Sequence, residues 1–286
     1  MDLSPSRLDA IAAAVRQATQ RPDLQHSVVQ CLLAWFRTFN SDHFSALAVE
    51  KEFAVPMKDL RDRPFWLVGR RDFDGLHQIH GDVFLGEYKT HRGPWRKSDS
   101  IDKMLAEWFE GWHLNLQAAV YLRALLHDYP DRVHALRYLV RVAVKPGQYN
   151  EAAVREKWFQ FDRDVYQRQV QGFVGTATQM LDSLVSGVYP TNDMACFSKY
   201  NKRCPYWGPC QGKAPLVQLQ TWKHHLTFVE ALEPKWPAID VTSVRLYREC
   251  PQKWYQRYIL KHEEARSDAL EEGSAFHAGL EAAIGP

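Results

Sequence analysis

The sequence predicts an α/β (α+β) fold, a small mixed central sheet flanked by helices. Three observations predict it. Apolar residues recur at helical spacing near both ends of the chain. Between residues 47 and 90, and again over 135–145, the hydrophobic period drops to two. No apolar run approaches the roughly 18 residues of a membrane span, so the apolar 45% of the 286 residues is available for a core.

The elements follow in order. Residues 5–20 read as an amphipathic helix. A second over 25–39 carries Val28, Cys31, Leu32, Trp35, Phe36 and Phe39 on one stripe, which makes Cys31 a core thiol. Leu47, Val49, Lys51, Phe53 and Val55 then alternate with Ala48, Glu50, Glu52 and Ala54. Strands over 65–73 and 82–90 complete a meander, joined by a polar turn at His80-Gly81-Asp82. A long helical region covers 101–129. A strand at 135–145 ends at Pro146-Gly147. Residues 150–186 read as helical, 189–214 as a loop rich in Cys, Pro and Gly. Helical segments near 216–232, 242–260 and 270–283 close the chain.

The net charge of +2 points to no partner by itself, so a nucleic-acid surface must be sought in local basic clusters. Ten tryptophans and twelve tyrosines predict a large aromatic core or stacking surfaces. The start, Met1-Asp2-Leu3-Ser4-Pro5, lacks the basic and apolar regions of a signal peptide, and the expected location is cytoplasmic, with no membrane contact. In that compartment five cysteines are metal ligands or core residues rather than disulfides.

Two constellations carry chemistry. Glu87 and Lys89 in Gly86-Glu87-Tyr88-Lys89-Thr90 share one face of a strand, fifteen residues after Asp72. Alone, such a pair reads as a surface ion pair. With a second carboxylate on the preceding strand it becomes what a metal-dependent phosphodiesterase needs: acids for a hard divalent cation and an ammonium for the attacking water. The other constellation is Cys196, Cys204, Cys210 and Cys250. By spacing alone it admits an unligated set, a zinc site or an iron–sulfur cluster.

Gly69-Arg70-Arg71-Asp72, Glu87-Tyr88-Lys89-Thr90 and Gln117-Ala118-Ala119-Val120-Tyr121 together resemble the PD-(D/E)XK nucleases of the RecB-like branch. The cysteine loop, and the segment Val241 to Pro251 with Cys250, resemble the cluster region of that branch's iron–sulfur members, which include CRISPR-associated and phage nucleases. Gly273-Ser274-Ala275-Phe276-His277 is similar to the first active-site motif of the family, whose histidine is a metal ligand. The resemblance implies a restriction-endonuclease-like core. It implies that Asp72, Glu87, His277 and the Tyr88 carbonyl hold Mg²⁺ or Mn²⁺, and that Lys89 activates water. Gln117 and Tyr121 would support the site or touch the DNA backbone. The four cysteines would bind a 4Fe–4S cluster. Glu50 is a weaker candidate near the metal. Arg70, Arg71, Arg92, Arg96 and Lys97, with His91, would contact DNA phosphates, Trp95 would stack on a base, and Arg137, Arg141 and Lys145 would extend the track.

One departure from the family is large: the pieces at 241–281 come first in relatives and last here. A circular permutant, a fragment ending inside a second copy, or a segment completing a neighbour's site would each account for it. A single permuted domain is the simplest. Within it, 45–145 would form the catalytic sheet and helix, 189–260 the cysteine region, and 262–286 the histidine-bearing helix. The expected activity is DNA hydrolysis by an exonuclease in recombination, repair or phage DNA processing, on single strands or duplex ends, with a helicase or recombination partner. The alternative is a catalytically silent DNA-binding or assembly module.

Overall fold

The computed structural model describes residues 5–39, 44–94, 96–97, 100–192, 196, 203–214, 220–221, 226–263 and 268–284. They form two compact units. The first comprises residues 1–51, 70–166 and 266–286, the second residues 52–69 and 167–265. Among the described residues no helix is long and apolar enough to cross a membrane.

The chain opens with α1 (Pro5–Ala18) and α2 (Pro22–Thr38), continues through β1 (Phe44–Lys58), β2 (Pro64–His77) and β3 (Val83–His91), then α3 (Ile101–Glu110) and α4 (Leu116–Asp128). Strands β4 (Arg137–Val144) and β5 (Ala153–Gln160) follow, then the long α5 (Arg163–Ser186). The remaining elements are α6 (Trp207–Cys210), β6 (Gln220–Thr221), β7 (Ala238–Ile239), α7 (Val241–Glu249), α8 (Pro251–Trp254), β8 (His262–Glu263) and α9 (Asp268–Ile284). Strand order is β1-β2-β3-β4-β5, with β7 beside β2. β3 runs antiparallel to β2 and parallel to β4, and β5 is antiparallel to β4. The α/β reading with a helix-flanked mixed sheet is therefore what the chain adopts.

Local chemistry sets the helix starts nearest the site. The Ser100 side chain accepts from Lys103 N–H, and Asn115 accepts from Gln117 N–H, so both helices on one face of the sheet begin at a side-chain cap. The other face buries the apolar stripe of α2, with Val28, Cys31, Leu32, Trp35 and Phe36, and α9 residues Phe276 and Leu280, against Phe73, Phe84, Tyr88, Leu139 and Ala143. Cys31 lies in that core as expected, and burial pushes its thiol up to about 12.

Gly86 is required by this packing. It sits opposite Phe73, whose ring stacks on Tyr88 at 5.1 Å and 11°. A Cβ at position 86 would lie 1.6 Å from the Phe73 ring. Gly86→Ala is expected to cost about 1–3 kcal/mol of stability, read as a lower urea midpoint at unchanged slope.

Two stretches differ from the sequence reading. Residues 153–160 form a strand, not part of a helix. Arg155, Glu156 and Lys157 give the segment a helical look. Eight residue pairs with β4, and burial of Val154 and Phe159, outweigh that local pattern. Around 216–232 the described residues are a two-residue strand and a 3-10 turn at Thr227–Ala231, not a helix.

In the second unit, Arg63 ties Asp59 to α5 by bonding Asp59, the Thr178 carbonyl and Asp182. α7 is held to the same helix by Tyr247, which bonds Ser183 and the Gln179 carbonyl. Its N-terminus is closed by a reciprocal capping box of Asp240 and Ser243.

Candidate active site

Within the first unit, residues from distant parts of the sequence converge. Asp72 on β2 and Glu87 on β3 project from neighbouring strands, and Asp72 Oδ2 accepts the Tyr88 N–H at 2.6 Å. His277, on α9, places Nδ1 2.7 Å from Glu50 Oε1 and Nε2 3.9 Å from Asp72 Oδ2. Glu50, Asp72 and His277 each offer a ligand atom within 4.8 Å of the others, among the described residues the one such trio. Glu50, the weaker candidate from sequence, is thus at the centre. Its backbone has φ of 49°, a left-handed conformation that is costly for a side-chain-bearing residue. Glu50 is also ion-paired with Arg70 at 3.0 Å.

Glu87 is fully buried. Its Oε1 accepts from Gln117 Nε2 at 2.8 Å and pairs with the Lys89 ammonium, whose side chain remains about one-third exposed. Burial, and then the charge of Asp72, push the Glu87 carboxyl above its usual range. Burial would lower the His277 imidazole, but Asp72 and Glu50 outweigh it and lift it to about 9.

These features fit a divalent cation. Two carboxylates and an imidazole are gathered within ligand reach of one another. Tyr88 contributes its N–H to Asp72, while its ring is buried in the core beside Trp35. Tyr121 lies one helical turn after Gln117, half-buried, close enough for its phenol to act on that of Tyr138.

The basic residues divide. Arg92, Arg96 and Lys97 are exposed, and Trp95 lies outside the described residues. Arg71 overturns its expected role as a DNA contact. It is fully buried and bonds Asp74 at 2.7 and 2.8 Å and Asp128 at 2.7 Å, so phosphate cannot reach it. In the row Arg137, Arg141 and Lys145, the last two are spent inside the protein, while Arg137 stays partly exposed. Arg141 lies 3.6 Å over the Phe39 ring and pairs with Glu156. Lys145 is buried against Glu272, and Arg137 pairs with Asp82 at 3.4 Å.

In the second unit, none of Cys196, Cys204, Cys210 and Cys250 forms a disulfide. Cys204 N–H donates to the Cys196 carbonyl at 2.8 Å, and Cys250 ends α7. Burial first, and then the neighbouring Cys204, Cys250 and Cys196, raise the Cys210 thiol to about 11, so the four cysteines share one neighbourhood.

A comparison with curated proteins gave no match. The sequence model of the PD-(D/E)XK nuclease superfamily matches residues 2–211 and 239–285, a span that takes in both halves of the convergent site, Asp72 with Glu87 and the distant His277. Such nucleases use divalent metals, in keeping with the Glu50, Asp72 and His277 trio beside a Glu-X-Lys strand. By that match the chain belongs to the PD-(D/E)XK nuclease superfamily.

Proposed function

We propose that this chain is a Mg²⁺- or Mn²⁺-dependent deoxyribonuclease, an exonuclease that hydrolyses DNA phosphodiester bonds. The observation that carries the reading is the carboxylate–imidazole trio standing beside the Glu87–Lys89 pair. Asp72, Glu50 and His277 would hold the cation, with Glu87 completing the acidic wall. The imidazole among these donors favours Mn²⁺. A bound divalent ion supplies charge stabilisation for the phosphate and a more acidic water. Lys89, partly exposed and pinned by Glu87, orients a water at its ammonium and steadies developing negative charge on the scissile phosphate. Gln117 holds Glu87 in place through Oε1.

Arg70 and the exposed Arg92, Arg96 and Lys97 supply phosphate contacts to single-stranded DNA or duplex ends. Arg92→Ala and Arg96→Ala are expected to weaken DNA binding on all sequences and to lower the salt dependence by about one unit of slope each, measured by anisotropy across a salt series. The biological setting we infer is recombination, repair or phage DNA processing, beside a helicase or recombination partner.

The late position of His277 supports a circularly permuted domain. That helix packs along α1, and Thr19 bonds Glu271, so elements from the two ends of the described chain are neighbours. The shared neighbourhood of Cys196, Cys204, Cys210 and Cys250 supports a 4Fe–4S cluster tying the 196–210 loop to the α7–α8 junction. Protein purified without oxygen should be brown and contain iron and sulfide, and Cys250→Ser should lose both. Zinc in their place would overturn the cluster.

The activity itself is tested directly. Purified protein with Mn²⁺ should degrade DNA, and a chelator or Asp72→Ala should stop it. Undiminished cleavage by Asp72→Ala would sink the assignment.

A further inference from the structure

Only one oxygen of the buried Glu87 carboxylate is spoken for. Oε1 is held by Gln117 and Lys89, while Oε2 is sealed from solvent without a hydrogen-bond partner. A second buried polar atom in the same region has the complementary need. Tyr138 is completely enclosed, and its phenolic oxygen also finds no partner. One atom can only accept, and the other carries a proton to give.

The strand ladder explains their proximity. In the parallel β3–β4 pair, Tyr138 stands beside Leu85 and Val140 beside Glu87. Leu85 and Glu87 share a face, as do Tyr138 and Val140. Tyr138 is therefore the diagonal neighbour of Glu87, a separation that an aromatic side chain spans. The Tyr138 ring is fixed between Trp112 at 5.7 Å and Phe161 at 6.3 Å, so its hydroxyl has one direction in which to point. After burial, the charge of Glu87 is the largest influence on this phenol, followed by that of Asp72, and all of them raise its pKa.

We propose that Tyr138 is a positioning residue of the active site: its hydroxyl donates to Glu87 Oε2 and, with Gln117 on Oε1, fixes the rotation of that carboxylate against the cation centre. The inference rests on the nuclease reading. The physical need is clear. A buried carboxylate oxygen without a donor costs free energy, and donors on both oxygens hold the group stationary. If the hydroxyl served packing alone, phenylalanine would do equally well in that aromatic slot.

Tyr138→Phe removes the hydroxyl and keeps the ring. Three measurements on the full chain decide the matter: Mn²⁺ uptake followed by the loss of the free-ion resonance signal, the melting temperature, and cleavage at saturating Mn²⁺. The expected result is a modestly lower melting temperature, as the loss of one donor to the buried Glu87 requires, with Mn²⁺ affinity weaker by about tenfold, lower kcat and unchanged KM for DNA. Wild-type Mn²⁺ uptake and kcat in Tyr138→Phe would overturn the proposal while leaving the nuclease reading intact. A variant that melts well below wild type yet keeps wild-type Mn²⁺ affinity and kcat would assign the hydroxyl to core stability and would also overturn it. Failure of the wild-type protein itself to take up Mn²⁺ would instead remove the reading beneath it.

Discussion

Lys89→Ala is expected to lower DNA cleavage by about a thousandfold, within the range that a positioned proton-handling or charge-stabilising group supplies. The ammonium is paired with Glu87 yet remains about one-third exposed, so it joins the buried acid to the solvent side where substrate and water arrive. Two effects are separable. Removing the ammonium leaves Glu87 buried with less compensation, which costs stability. By the proposed role it also removes the group that orients the water, which would cost rate. Lys89→Arg restores a cation beside Glu87 but not a group able to give up its proton. Its melting temperature should return toward wild type while cleavage stays low. Recovery of cleavage along with stability would show that Lys89 acts only as a charge partner.

The largest stability effect is expected at Arg71. Its guanidinium is fully buried between Asp74 and Asp128, and Lys51 adds a 2.9 Å contact to Asp128. Arg71→Ala leaves two carboxylates without their main partner and should cost about 3–5 kcal/mol, read from urea denaturation. pH gives an independent check. Burial would raise the Asp128 carboxyl, but hydrogen bonds from Arg71, Lys51 and His127 outweigh it and hold it down at about 2. A depressed folded-state value stabilises the protein fully above the unfolded value of 3.8 and ceases to as pH falls through about 2. The gap between wild type and Arg71→Ala should therefore be widest near neutral pH and narrow as the pH is taken from about 5 toward 2. A gap independent of pH would mean that Arg71 acts through packing rather than charge.

Arg71 also shows where the sequence was hard to read. Next to Arg70 in a basic run before Asp72, it looks like a phosphate contact. Arg70 pairs with Glu50, whereas the partners that bury Arg71 are Asp74, on the same strand, and Asp128, at the end of a helix 57 residues later. Neither pairing has a local signature. The same holds for Arg141 and Lys145, whose regular spacing suggested one basic face and whose partners, Glu156 and Glu272, lie on other elements.

What could be read were features fixed by short-range pattern. The alternation around Asp72 and Glu87 marked their strands, and the turn-spaced Gln117 and Tyr121 marked a helix face. Gln117 indeed bonds Glu87. His277 was legible only as a motif, since nothing near it in sequence points to Glu50 or Asp72. Glu50 was underrated because alternation made it one of several solvated acids, whereas its left-handed backbone belongs to the folded strand alone. Tyr138 carried no signal, because an apolar alternating strand gives no hint that one of its inward residues faces a buried carboxylate. The strand at 153–160 was missed for the reverse reason: its charged residues are outward on an edge that only the pairing with β4 defines.

His277, late in the sequence, is proposed to join Glu50 and Asp72 in one cation centre that supports cleavage. Mn²⁺ titration of His277→Ala, paired with DNA cleavage in the same samples, tests it most directly. The variant is expected to fold as wild type does, to bind Mn²⁺ at least tenfold more weakly, on the order expected for losing a donor, and to cleave little DNA. Wild-type Mn²⁺ affinity together with wild-type cleavage in His277→Ala would contradict it.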